Sequence, residues 1–298
     1  MISLQAALDA LFALVKKPNV EWVDLTKAMG RVLARPMTAL RDQPPFDAAA
    51  MDGYAIAQPA AKRGDSYRVI GEAAAGRRFE GDLTSDTAVR IFTGAPVPDG
   101  ADAIVIQEDT DVDGASITMK ESSTKGRYVR PAGLDFSAGD TLLKSGKRLN
   151  SRDVALIAGM NVPWVSVTRR PRVAILSTGN ELVLPGEPLD RNQIISSNSI
   201  GLAAFVTAAG GQPVNLGIAR DDAASLISKL EGIRSMDMLI TIGGASVGDY
   251  DLVKQVLGGE GMNITFSRVA MRPGKPLIFG EIHGTPMLGL PGNPVSAG

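Results

Sequence analysis

Between Arg169 and Gly298, three apolar runs, VAIL, VNLGIA and MLITIG, are interleaved with segments of helical spacing that start at Ser197, Asp222 and Asp251. Strand and helix in alternation demand parallel crossover units, so this half of the chain reads as a doubly wound α/β sheet. Ligands of such sheets bind beyond the carboxyl ends of the strands. STGNEL, ARDD and GGASVGDYD each follow one of the runs, so three polar loops are expected at one edge, sharing one pocket.

The first half has a different texture. YRVIG, AVRIF, DAIVIQ and ASITM are short apolar runs separated by the turn signals PVPDGAD and DVDGA, which predicts a β-rich unit over residues 36–145. SRDVALIAGM reads as a short helix entered through Ser151 as N-cap. At the N-terminus Leu4, Ala7, Leu8, Leu11, Phe12 and Val15 recur at helical spacing, with Ser3 as the expected N-cap. The expected organisation is a helical linker domain from residues 1–35 and 146–168, a β-rich domain over 36–145 and an α/β domain over 169–298.

Composition narrows function mainly by exclusion. Thirty-one basic and 32 acidic residues give a net charge of −1, so no overall field draws this chain to nucleic acid or to anionic lipid. There is no cysteine, which removes disulfides, thiolate metal sites and thiol nucleophiles. The N-terminal apolar run carries Asp9 and lacks a basic flank and a small-residue cleavage site, and no run is long enough to span a bilayer. A cytoplasmic, soluble protein is expected.

Several loops carry candidate chemistry. Gly243, Gly244 and Gly248 permit close backbone approach to an anion ahead of a helix, although the loop matches neither the Walker nor the dinucleotide pattern. Asp249 or Asp251 serves equally well as a cap for DLVKQVL. Glu181 in STGNEL, behind Ser177 and Thr178, suits a cation or a capping box. One of Asp221 and Asp222 is expected to cap the next helix, leaving the other for different work. MRPGKP projects Arg272 and Lys275 from a tight turn, either as solvated charges or as an oxyanion grip. Asp52–Gly53 in AMDGYA and Thr93–Gly94 in IFTGAP read first as turns.

Seven ordered motifs give these loops a joint meaning. AMDGYA, IFTGAPVPDGADAIV, STGNEL, SSNS, GGASVGDYD, RPGKP and GLPGNPVS resemble the molybdopterin molybdenumtransferases, the MoeA family that includes the gephyrin E domain, along essentially the whole chain. The resemblance implies an enzyme that inserts molybdate into adenylated molybdopterin and releases AMP, assisted by a divalent cation, usually Mg2+. Molybdenum's sulfur ligands would then come from the pterin, in keeping with the absence of cysteine.

By the same resemblance Asp52, Thr93, Glu181, Asp221 and Asp251 are catalytic, and Glu181, Asp221 and Asp251 hold the metal. Ser177, Thr178, Gly243, Gly244, Ser246, Arg272 and Lys275 bind substrate, as do Arg130 and Asp135 through a looser match in RPAGLD. Many relatives have Lys at the position of Arg272, so a planar fork replaces a point charge there. The family also implies a homodimer with its cleft shared between protomers, and a molybdopterin adenylyltransferase as upstream donor. Its small C-terminal β domain has no counterpart before Gly298, so a truncated chain is expected, with activity depending on that domain. The rival readings are a molybdopterin adenylyltransferase, which lacks the N-terminal β region, and a non-catalytic pterin-binding or scaffold fragment.

Overall fold

The structure is a computed structural model that describes residues 1–243 and 262–298. Gly244, Ser246, Asp249 and Asp251 lie outside the described residues, as does the helix expected from Asp251. The chain divides into two compact units, Trp22–Ser166 and Met1–Glu21 with Val167–Gly298. Helix α1 (Leu4–Leu14) opens the second of these, and Ser3 caps it by accepting from the Ala6 amide, as its sequence suggests.

The Trp22–Ser166 unit is built on six strands, β1 (Gly53–Ile56), β2 (Ser66–Ala73), β3 (Thr87–Ile91), β4 (Ala103–Ile106), β5 (Thr110–Asp113) and β6 (Ser116–Met119). Their order is β4-β1-β3-β2-β6-β5, antiparallel except between β2 and β3. All four residues of β1 are buried, because the sheet is covered on both faces. Tyr54 and Ile56 pack with Ala88, Val105 and Ile117 on one side, and Ala55 packs with Val89, Ile91 and Ile104 on the other. Helix α2 (Ser151–Gly159) belongs here too, and its cap falls one residue earlier than its sequence suggests. Asn150, not Ser151, accepts from the Asp153 amide, because Asp153 reaches back to the Asn150 amide and closes a capping box that Ser151 has no acid to complete.

In the other unit β7 (Arg172–Thr178), β8 (Gln212–Ala219), β9 (Met238–Ile242), β10 (Asn263–Arg268), β11 (Pro276–Ile282) and β12 (Thr285–Leu290) form a sheet in the order β8-β7-β9-β12-β11-β10. The first four are parallel, and β11 and β10 add an antiparallel edge. Helix α3 (Ser197–Ala208) covers one face, where Leu202 and Val206 meet Val173, Ile240 and Leu290. Helix α4 (Ala223–Leu230) covers the other, where Leu226 and Leu230 meet Ala174, Leu176 and Leu239. Alternate residues of β7 therefore face opposite helices, and VAIL reads as continuous apolar sequence for that reason. A short α5 (Pro294–Ala297) is capped by Asn293 with Pro294 at its first position, the places that Asn and Pro favour at a helix start.

Helix α1 lies beside β10 and β11, with a different stripe inward from the one its spacing suggests. Ala7 is buried against Phe266, Val269 and Phe279, with Ala10, Leu11 and Leu14 alongside, whereas Leu4, Leu8, Phe12 and Val15 are exposed. The cause is a tether. Ile2 donates to Arg268 O and accepts from the Ala270 amide, which sets the rotation of the helix, and the small Ala7 and Ala10 allow close approach.

One partly buried ion pair braces the entry to the α/β sheet. Arg169 donates from Nη1 and Nη2 to Asp237 at 2.9 and 2.8 Å, and the Arg172 amide donates to the same carboxylate at 2.6 Å. Burial raises the Asp237 pKa, but Arg169 and the Arg172 amide outweigh burial and hold it below the usual range. A carboxyl depressed in the folded state stabilises above its unfolded pKa of about 3.9, and that contribution is lost as pH falls through the folded value. In urea unfolding, Asp237→Ala is expected to cost about 2 kcal/mol at pH 7, with the gap to the parent chain closing below about pH 4.

Candidate functional site

The parallel register brings the ends of β7, β8 and β9 to one edge, where the loops after β7 and β8 join. Asp222 caps α4 by accepting from the Ser225 amide at 2.7 Å, which leaves Asp221 free of that task. Asp221 instead accepts from the Asn180 amide at 3.1 Å, and its own amide donates to Asn180 Oδ1 at 3.2 Å. Arg220 adds a bond to Asn180 O at 3.1 Å. The loop after β7 is thus latched to the loop after β8. Glu181 lies in the same loop and its carboxylate turns back over Gly179, where an added Cβ would stand 2.5 Å from it.

The third loop starts beside the first. Gly243 has φ of 92° and donates to Leu290 O, and a Cβ there would stand 2.8 Å from Thr178 O, so only glycine fits without displacing β7. Ser177 and Thr178 are the last residues of β7 rather than loop residues, and their hydroxyls are engaged: Ser177 with Ser196 at 3.1 Å, Thr178 with Ile242 O at 3.3 Å. Both line a cavity of about 410 Å³ together with Glu181, Asn198, Gly243 and Asn293. Asn198 donates to Gly292 O at 2.8 Å and ties the start of α3 to the GLPGNP loop. The RPGKP turn adjoins α5, since a Cβ on Gly274 would stand 3.4 Å from Ser296 O. Arg272 and Lys275 are exposed on that turn, without a side-chain bond to any described residue.

The β-rich unit carries the remaining candidates. Asp52 Oδ1 accepts from the Thr93 amide and from its hydroxyl, both at 2.7 Å, and these two bonds hold the carboxyl below its usual range. Arg90 stacks over Tyr54 and Phe92, 4.9 and 5.0 Å from the ring centres. Arg130 and Asp135 line a second cavity, of about 470 Å³, bounded by Pro44, Phe46 and Gly94.

Among the described residues, no group of three His, Asp or Glu side chains is gathered closely enough to hold a metal ion. Asn180 and Asn198 are the residues that motif reading passed over. Asn180 stands inside STGNEL and Asn198 inside SSNS, so their signal was position in a motif and not charge.

Residues 174–298 match the model of a probable molybdopterin binding domain. That match alone suits either a molybdenumtransferase or an adenylyltransferase. Residues 2–160 match the MoeA N-terminal region, domains I and II, and this separates the two. The chain belongs to the molybdopterin molybdenumtransferase family. It is 40% identical over 311 residues to the molybdopterin molybdenumtransferase of Nostoc sp., covering 99% of this chain and 71% of that one. It is 34% identical to the molybdopterin molybdenumtransferase of Haemophilus influenzae, covering 100% and 74%. The crystal structure of the molybdopterin biosynthesis MoeA protein from Pyrococcus horikosii superposes with a TM-score of 0.87 at 34% identity, covering 100% of this chain and 76% of that one. The chain is accordingly an enzyme of the molybdopterin molybdenumtransferase type, acting at the molybdate-insertion step of molybdenum cofactor biosynthesis. Among the described residues, no helix of this molybdenumtransferase is long and apolar enough to cross a membrane.

Proposed function

We propose that the sheet-edge cleft holds the pyrophosphate of adenylated molybdopterin and that Glu181 and Asp221 form its acidic side. The observation that supports this most is the Asn180–Asp221 latch, which keeps two carboxylates from separate loops at one edge with Asp221 released from capping. Mg2+ takes one or two protein carboxylates and completes its shell with substrate phosphates and water, so this donor set fits it, with Asp251 as a third candidate. Bound there, Mg2+ would supply charge neutralisation at the pyrophosphate. Asn293, which lines the cavity with Gly243, orients the phosphate oxygens. Arg272 and Lys275 grip molybdate, and neither is paired with a carboxylate among the described residues. Asp52, anchored by Thr93, orients the group that attacks phosphorus as AMP leaves.

The reading extends to a cytoplasmic homodimer whose cleft draws residues from both protomers, supplied with adenylated molybdopterin by an adenylyltransferase. It is tested by mixing the chain with adenylated molybdopterin and Mg2+ and following AMP by chromatography. AMP appearing only after molybdate is added supports it, and AMP release indifferent to molybdate refutes it. Lys275→Ala is expected to raise the molybdate KM about tenfold with little change in kcat, the worth of one charge-assisted contact.

A further inference from the structure

The ladder of the β-rich sheet closes just short of Asp52. The last paired residue of β1 is Gly53, opposite Ile91 of β3 on one side and Ile106 of β4 on the other. Asp52, Phe92 and Gln107 lie one step beyond it, on three neighbouring strands. Three bonds hold Asp52 there: the Gln107 amide donates to its carbonyl at 3.1 Å, and the Thr93 amide and hydroxyl both donate to Oδ1 at 2.7 Å. Oδ2 has no partner among the described residues, so it is the oxygen left for work. Contacts beyond the end of a ladder open most easily, so the aim of that oxygen depends on what steadies the three strand ends.

The Arg90 side chain touches all three. It stands opposite Tyr54, one row inside the ladder, on the strand that runs on into Phe92 and Thr93. Its guanidinium lies over the Tyr54 ring at 4.9 Å and the Phe92 ring at 5.0 Å. Nη2 donates to Gln107 Oε1 at 2.6 Å, and Gln107 Nε2 donates to Glu108 at 3.3 Å, which settles the orientation of that amide. Since β1 lies between β3 and β4, this bridge spans two strand spacings, roughly 10 Å, a reach that arginine combines with a flat face for stacking.

A direct ion pair between Arg90 and Asp52 would occupy Oδ2. Arg90 makes no ion pair with any described carboxylate, so its charge acts at one remove and leaves that oxygen open. The two Thr93 bonds lower the Asp52 pKa most, and Arg90 adds a smaller push in the same direction. The greater part of what Arg90 does for Asp52 is therefore mechanical.

We propose that Arg90 is a positioning residue of the reaction: by holding Phe92 and Gln107 it fixes the strand ends on either side of Asp52 and so aims the unbonded carboxylate oxygen. The proposal rests on the reading of Asp52 as the group that orients the attack on phosphorus, and it lies wholly within the β-rich unit.

Amide hydrogen exchange of the whole chain tests it without turnover. In Arg90→Met, which keeps an unbranched stem and removes the charge and the bond, the Thr93 and Gln107 amides are expected to exchange about tenfold faster, while those of Ala55 and Val89, buried in the ladder, keep their rates. Gln107→Ala, at an exposed side chain, breaks the same bridge and is expected to raise the Thr93 rate about threefold. In the molybdate-dependent AMP assay Arg90→Met is expected to lower kcat about tenfold and to leave the molybdate KM within about twofold, with Arg90→Lys in between. In an Asp52→Ala background Arg90→Met is expected to add nothing, as action through one carboxylate requires. Unchanged exchange at Thr93 and Gln107 in both variants, an acceleration shared by Ala55 and Val89, or a full further loss of kcat in the Asp52→Ala background would each overturn the proposal. Full kcat in Asp52→Ala strikes at the role of Asp52 itself, whereas full kcat in Arg90→Met beside an inactive Asp52→Ala strikes at Arg90 alone.

Discussion

Asp221→Asn is expected to lower kcat for molybdate-dependent AMP release by about 10²- to 10³-fold, the usual loss when one group that stabilises developing charge is removed. The substitution is mild toward the fold. Asparagine keeps an oxygen to accept from the Asn180 amide, and the cap of α4 belongs to Asp222, so both the latch and the helix survive. What disappears is the one negative charge that the proposed site sets beside the pyrophosphate. The Mg2+ concentration giving half-maximal rate should rise with the loss of kcat, and excess Mg2+ should restore part of the rate. Asp222→Ala is the informative contrast: it removes the cap, at about 1 kcal/mol, and should leave Mg2+ dependence as in the parent chain. Retention of full activity in Asp221→Asn at limiting Mg2+ would remove this carboxylate from the site.

The largest expected effect on stability lies in the other unit, at Gly53. A Cβ at this position would collide with the carbonyl oxygen of Val105 on the neighbouring strand. Relief by local movement is blocked on both sides, since β1 is paired to β3 and to β4 and all four of its residues are buried. Gly53→Ala should therefore cost about 3 kcal/mol, at the upper end of overpacking effects, and Gly53→Val at least as much because the clash begins with Cβ. Urea unfolding followed by circular dichroism would measure it. A change below about 0.5 kcal/mol, the range of ordinary surface substitutions, would mean that β1 and β4 separate freely.

Gly53 also shows how local reading and tertiary context diverge. Asp52–Gly53 reads first as a turn, yet Gly53 begins a central strand and is glycine because another backbone passes over it. Nothing in the dipeptide itself reports a neighbour some fifty residues away in the chain. Ser177 and Thr178 show the same gap at the candidate site. STGNEL reads as the loop after VAIL, yet its first two residues close β7, and their buried hydroxyls are occupied by Ser196 and Ile242 O, partners set by packing of β7 on α3 and β9.

Much was nevertheless legible in order and spacing. Asn293–Pro294 and Ser3 announced helix starts because capping is a contest among adjacent groups, settled within four residues. The alternation of VAIL, VNLGIA and MLITIG with helical segments announced the crossover sheet, because a strand buried on both faces has to be apolar throughout. Seven motifs in order were enough for the family. The sequence by itself therefore determined the elements, the α/β class of the second half and the kinship of the chain. Only the tertiary structure decided which stripe of α1 turns inward, which of Asp221 and Asp222 is left for the cleft, and that Asn180 latches two loops together. Those outcomes depend on strand register and on contacts between distant segments, and a one-residue change of register would move every one of these side chains to another place.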